Sequence, residues 1–210
     1  YSMGDNFSDI TRVAHLKNRG LVSREGAGEH TGGGTRVFDV IRESGIPAVA
    51  VPGLHRGSPT DPRFKVYSHQ ASPEKIGLAY EVVCQLGPTC IVSDISSNTV
   101  TLLIQDYRIV GGFDACLFAP GWVHGALDLD AIRAIDAGKM TANDAFLHAG
   151  VRDSLNVPDR EAALAMFAAM ECASLRLLAP DAPVALCGSR AGSVADEIAR
   201  LLSCDLLILD

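Results

Sequence analysis

Two alternating runs of apolar and polar residues, 99–105 and 109–117, flank the short turn Asp106-Tyr107-Arg108 and predict a β-hairpin. An apolar run, "CIVSDIS", precedes them and predicts a third strand leading into the hairpin. Around this block the period changes to that of helices. Residues 33–44 carry Val37, Val40 and Ile41 at helical spacing, with Gly45 as a stop. "IPAVAVPG" follows as a short buried strand, and then a long polar segment over 53–75, rich in Pro, Gly and Ser, reads as a loop. A helix near 73–86 opens with Ser72 as N-cap, Pro73 at its first position and Glu74 in its first turn.

After the hairpin, "ALDLDAIRAIDAG" and "TANDAFLHAG" predict two short helices, the second capped by Thr141. A long alanine-rich helix over 159–178 takes Asp159 as its cap. "APVALCGSRAG" is a strand ending in a glycine turn, "SVADEIARLLS" a helix capped by Ser193, and "DLLILD" the start of another strand. The second half therefore reads strand, strand, strand, helices, strand, helix, strand, an α/β pattern. No internal repeat or low-complexity segment interrupts it.

Composition narrows the class. The chain has 210 residues, enough for one large domain or two small ones. Its formal net charge is −7 and it has no basic run, which argues against a nucleic-acid surface. No apolar stretch reaches membrane-spanning length, and no secretory segment is visible. Six cysteines at 84, 90, 116, 172, 187 and 204 lack CxxC spacing and fall mostly in apolar runs. They are expected to be buried, reduced thiols, which favours a cytoplasmic location. The chain opens at Tyr1 without an initiator Met and closes on an apolar run, so a fragment is expected.

Three segments could carry chemistry, and each has a plainer reading. Asp94-Ile95-Ser96-Ser97-Asn98-Thr99 places a carboxylate at a strand end, followed by small polar residues. Such a loop can hold hydrated Mg²⁺ and offer hydroxyls and amides to phosphate; it can equally be a turn that satisfies its own backbone. Gly188-Ser189, with Gly192 and Ser193 beyond, form a strand–turn–helix junction that suits an anion or nucleotide, or simply joins a strand to its helix. The glycine-dense stretch "GAGEHTGGGTR" leads into the 33–44 helix. Gly32, Gly33, Gly34 and Thr35 there could cradle phosphate or an acyl group, or lie in a surface loop. It is neither a P-loop, since no lysine follows its last glycine, nor a GxGxxG fingerprint.

The histidines at 15, 30, 55, 69, 124 and 148 show no HxxxH or HExxH spacing. His55, Arg56, Arg63 and His69, together with His124, are candidates for gripping a charged substrate; solvated loop positions are the alternative. No G-x-S-x-G elbow or recognisable cysteine nucleophile is present.

The order of these segments resembles the C-terminal half of the acetate and sugar kinase, heat-shock ATPase and actin superfamily. Asp94, Ser96, Ser97, Asn98 and Thr99 match its second phosphate motif. Gly188, Ser189 and Gly192 match its adenosine motif. "FDACLFAPGWVHGALDLDAIRA" further resembles the butyrate and acetate kinase branch. The segments "NRGLVSREGAGEHTGGGTRVFDVI", "VPGLHRGSPTDPRF", "YSHQASPEKIGLAY" and "VSDISSNTVTLLI" resemble the methanogenesis marker protein twelve family of methanogenic archaea.

The resemblance implies an actin-like (ribonuclease H-like) α/β fold with a mixed sheet and helices on both faces. One lobe would cover 1–88 and a second 89–210. It further implies ATP and Mg²⁺ as ligands, with Asp94 orienting the metal or an attacking group. Two departures stand out. The phosphate loop is poor in glycine, and the superfamily's first phosphate hairpin is missing, which a start within the first half of the protein would explain.

In function the resemblance implies an ATP-dependent factor or switch assisting a methanogenic enzyme complex. A kinase acting on a small carboxylate and a subunit that binds no nucleotide are the alternatives. A homo-oligomer is left open.

Overall fold

The computed structural model describes residues 4–20 and 34–209. The chain divides into two compact units, Tyr1–Ile76 and Gly77–Asp210.

The first unit is built from short elements. β1 (Thr11–Arg12) is followed by a 3₁₀ turn, α1 (Gly34–Ser44), β2 (Val49–Ala50), β3 (Leu54–His55), a second 3₁₀ turn over Pro62–Val66 and β4 (His69–Ala71). β1 pairs antiparallel with β2, and β3 with β4. The polar stretch after residue 53 is therefore structured. Asp61 begins its 3₁₀ turn by accepting from the backbone N–H of Arg63, with Pro62 fixing φ behind it. The buried strand expected over 46–53 is reduced to two residues. In α1 Phe38 is the buried residue, whereas Val37 and Val40 are exposed. α2 (Pro73–Leu86) has the boundaries its Pro73 and Glu74 predict.

The second unit is organised by one mixed sheet. β5 (Cys90–Ile95), β6 (Thr99–Gln105) and β7 (Arg108–Phe113) form an antiparallel meander, and β8 (Val184–Cys187) and β9 (Leu206–Ile208) add to it in parallel. The strand order is β7-β6-β5-β8-β9. Asp106 and Tyr107 both have positive φ, 52° and 63°, as a tight hairpin turn requires. β7 ends at Phe113, short of the expected 117. There the Asp114 carboxylate takes the N–H of Ala115, and the Asp114 carbonyl that of Leu117, turning the chain out of the ladder.

Four helices follow β7: α3 (Leu129–Asp136), α4 (Ala142–Leu147), α5 (Val151–Ser154) and α6 (Val157–Arg176). Thr141 and Asp144 cap α4 with a reciprocal capping box. α6 starts earlier than Asp159 suggests. Asn156 occupies the N-cap and Pro158 the first turn, where its fixed φ is pre-set for a helix; Asp159 sits among the exposed amides of that turn. α7 (Ala191–Leu202) likewise begins before Ser193, with Arg190 at the N-cap and the Ser193 hydroxyl donating back to the Arg190 carbonyl at 3.1 Å.

α6 and α7 pack against each other and on the sheet. The core is formed by Ile91, Ile95, Leu102, Leu103, Ile104, Leu164, Leu175, Leu186 and Ile198. Of the six free thiols, Cys90, Cys172 and Cys187 are buried as expected. Cys84 and Cys116 are exposed, because α2 and the post-β7 turn present them outward. No helix among the described residues is long and apolar enough to cross a membrane.

Candidate functional site

Parallel pairing of β5 with β8 sets Asp94 opposite Cys187, so both strands end at the same edge of the sheet. The chain leaving β5 is the 94–99 loop, and the chain leaving β8 is the 188–190 turn. Open α/β sheets bind ligands at such carboxyl ends, where connections diverge to opposite sides of the sheet. β5 turns back into the antiparallel β6, while β8 turns into α7.

Gly188 is there for two reasons. Its φ is +97°, in the region only glycine enters without strain, and a Cβ on it would overlap the Asp94 carboxylate and lie 2.5 Å from Ser96 Oγ and 2.7 Å from the Ile95 carbonyl. The two segments are stitched together by the Arg190 N–H, which donates to the Ile95 carbonyl at 2.9 Å. Asp94 is buried, with 6% of its surface exposed, and Oδ1 accepts from the Ser96 hydroxyl at 2.5 Å. Ser97, Gly188 and Ser189 are exposed at the rim, and Ser96 and Asn98 are half-buried.

A third segment braces the loop from behind. The N–H groups of Trp122, Val123 and His124 donate to the carbonyls of Ser96 and Ser97 at 2.9–3.0 Å. Gly121 allows this approach, since a Cβ there would meet the Asn98 backbone. Residues 121–123 are held in turn by the N–H groups of Gly150, Val151 and Arg152. Thr99 is fully buried and its hydroxyl donates to the Pro120 carbonyl at 2.8 Å, which commits it to this brace rather than to the rim.

His124 Nδ1 is bonded to Asn98 Oδ1, and its ring stacks on Phe146 with centroids 4.8 Å apart. Burial, then the nearby Arg152 charge, pulls the His124 pKa below its ordinary value, with Asp114 opposing. The imidazole is thus neutral at pH 7, and its Nδ1–H donates to Asn98.

Beneath the brace lies a buried polar chain. Glu171 on α6 accepts from the Thr101 hydroxyl at 2.6 Å and from the Ala119 N–H at 3.0 Å, and Thr101 contacts Ser93 Oγ at 2.9 Å. Burial drives the Glu171 carboxyl up to about 8.

At the outer side, the Arg190 guanidinium lies 3.7 Å from the Trp122 ring centroid, and that of Arg160 lies 5.9 Å from it. Arg160 Nε also donates to the Leu155 carbonyl. Among the described residues no group of three His, Cys, Asp or Glu could cage a metal ion.

Of the residues singled out from sequence, the fold brings Asp94, Ser96, Ser97, Asn98, Gly188 and Ser189 together, with His124 behind them. Gly192 and Ser193 lie along the first turns of α7. His55, Arg56, Arg63 and His69 belong to the first unit, and each has an internal partner. His55 Nε2 donates to the Phe7 carbonyl, Arg56 donates to the carbonyls of Lys65 and Val66, Arg63 pairs with Asp61, and His69 with Asp5. Thr35 sits in the first turn of α1, which Gly34 opens; Gly32 and Gly33 lie outside the described residues. Sequence reasoning passed over Gly121, Trp122, Arg160 and Arg190. The turn "APGW", holding the chain's single tryptophan, signals Gly121 and Trp122, and Arg190 lies within the glycine turn that follows "APVALC".

No family model matches the chain. Relatives do. The chain is 53% identical over 198 residues to a UPF0285 protein of Methanosarcina barkeri, covering 86% of this chain and 61% of that protein. It is 50% identical to one of Methanosarcina mazei, covering 93% and 66%, and 58% identical over 153 residues to one of Methanocaldococcus jannaschii, covering 71% and 47%. It therefore has close homologues in methanogenic archaea, and it spans about two thirds or less of the length of the relatives it matches. A solved structure from Porphyromonas gingivalis, described as a candidate N-acetylglucosamine kinase, aligns with a TM-score of 0.37 at 15% identity, covering 63% of this chain and 59% of its own.

Proposed function

We propose that the second unit binds a nucleoside triphosphate, ATP with Mg²⁺, at the shared edge of β5 and β8, as part of an actin-like fold. The observation that carries this reading is the contact between the Asp94 loop and the Gly188 turn, two segments more than ninety residues apart that lack room for even a methyl group between them. Ser96, Ser97 and the loop amides would face phosphate oxygens, and Gly188–Ser189 would border the nucleoside. Asp94 would orient the hydrated cation, which supplies charge neutralisation on the phosphates when bound. The protein's part is positioning: a loop braced through three backbone bonds needs little reorganisation to meet its ligand.

The physiological role we assign is that of an ATP-dependent factor or switch serving a methanogenic enzyme. The distribution of its relatives among methanogens supports this. Phosphoryl transfer to a small carboxylate is the rival outcome: a phosphorylated small-molecule product would favour it, whereas slow, partner-stimulated hydrolysis would favour the switch.

The test is calorimetric titration of ATP–Mg²⁺ into the full-length protein and its Asp94→Ala variant. Binding by the wild type that weakens at least tenfold in the variant is expected. Absence of wild-type binding at millimolar nucleotide would remove the proposal.

A further inference from the structure

Arg19, in the first unit, is buried yet incompletely satisfied. The residue is 8% exposed, and its Nη2 has no contact with solvent and no hydrogen-bond partner. Its Nε donates to Thr35 Oγ1 at 2.6 Å, which places the guanidinium at the first turn of α1. The backbone around it is fixed: Gly4 N–H donates to the Arg19 carbonyl at 3.2 Å, Asp5 N–H to that of Gly20 at 3.1 Å, and Gly20 holds φ at +101°.

Among the described residues the electrostatics of this corner are one-sided. The first turn of an α-helix has no intrahelical partners for its N–H groups and carries a partial positive charge, and α1, eleven residues long, has no acidic residue in that turn to offset it. A buried guanidinium set against it adds charge of the same sign. Among the described residues of this unit, Asp39 is engaged with Arg42 at 3.0 Å and Asp5 with His69 at 2.9 Å. Burial lowers the Arg19 pKa, but no ordinary environment strips an arginine of its proton. A buried charge with an unmet N–H is costly unless an anion meets it.

We propose that Arg19, Thr35 and the first-turn amides of α1 form an oxyanion site, taking a phosphoryl or carboxylate group. An oxyanion there would accept from Nη2 and the helix amides together, pairing the charge and capping the helix. The inference rests on residues of the first unit alone and stands or falls separately from nucleotide binding by the second.

The test is an amide-resolved NMR titration of the full-length protein, without nucleotide, using inorganic phosphate in one arm and acetate in the other. Ionic strength is held constant with chloride. Saturable shifts of the Thr35 and Arg36 amides are expected in at least one arm. A response to phosphate alone assigns a phosphoryl ligand, and a response to acetate a carboxylate. Arg19→Gln and Thr35→Val are each expected to weaken binding by about tenfold, the scale of one charge-assisted hydrogen bond, while the exposed Arg133→Gln leaves it unchanged. No saturable shift in either arm, or undiminished affinity in Arg19→Gln, overturns the proposal. Should Arg19→Gln fail to fold, the wild-type titration and Thr35→Val decide it.

Discussion

Gly188 sits against Asp94 so closely that a single methyl group on its α-carbon would occupy the space of the carboxylate. The contact joins the ends of β5 and β8, and it makes this glycine sensitive in a way that a neighbouring one is not.

Gly188→Ala must strain a φ of +97° and displace Asp94, Ser96 and the Ile95 carbonyl together. A loss of about 2–4 kcal/mol in urea unfolding is expected. Gly192→Ala, in α7 with open space around its α-carbon, is the contrast. It should stabilise by about 0.5–1 kcal/mol through helix propensity. Equal effects at the two positions would contradict the described geometry.

Glu171 links stability to pH. Its folded pKa, about 8, lies above its ordinary 4.5, so the folded state holds a proton that the unfolded chain releases. The associated stability is fully present below pH 4.5, declines from there to about pH 8 and is absent above, a span on the order of a few kcal/mol. Glu171→Gln cannot ionise and keeps an acceptor for the Ala119 N–H, while its amide N–H₂ replaces the oxygen that accepts from Thr101, whose hydroxyl can turn to accept instead. Its stability should therefore be flatter across this window and should exceed the wild type's at pH 9. A wild-type profile with no slope over this range would count against the buried neutral acid.

Trp122 is the one tryptophan of the chain, and Arg190 lies 3.7 Å from its ring centroid at the end of the Gly188 turn. Nucleotide entering that edge should alter its emission. ATP–Mg²⁺ is expected to change Trp122 fluorescence with the same midpoint as the calorimetric titration, and Arg190→Ala should shift the emission of the free protein. A spectrum indifferent to saturating nucleotide would place the ligand elsewhere.

Replacing His124 probes the brace. Since burial and Arg152 keep the imidazole neutral, His124→Asn removes the Nδ1 bond to Asn98 and the stacking on Phe146 without deleting a charge. A stability loss of about 1–3 kcal/mol is expected, together with faster amide exchange across 96–98. Unchanged exchange there would assign the rigidity of the loop to its backbone bonds alone.

Local signals determined the secondary structure wherever one period or one stereochemical constraint dominated. The alternation over 99–105, the Asp106-Tyr107 turn, Pro73 at the head of α2 and the Thr141–Asp144 box act within a few residues, so they are legible in the string. Asp94 and Gly188 could be picked out singly for the same reason. The helix starts that Asp159 and Ser193 suggest lie two residues late, because any small polar residue near the true start resembles a cap, and the choice among them falls to Pro158 in one case and the Gly188 turn in the other. The 53–75 segment reads as a loop because strands of two and three residues have no period to read; the pairing of β3 with β4 makes them strands.

Only the tertiary structure decided that Asp94 and Gly188 meet, that Gly121 and Trp122 brace the loop between them, and that Arg19 turns inward to α1. Each depends on which strands pair and in what register, and so on contacts between residues far apart in the chain. No local pattern encodes those contacts.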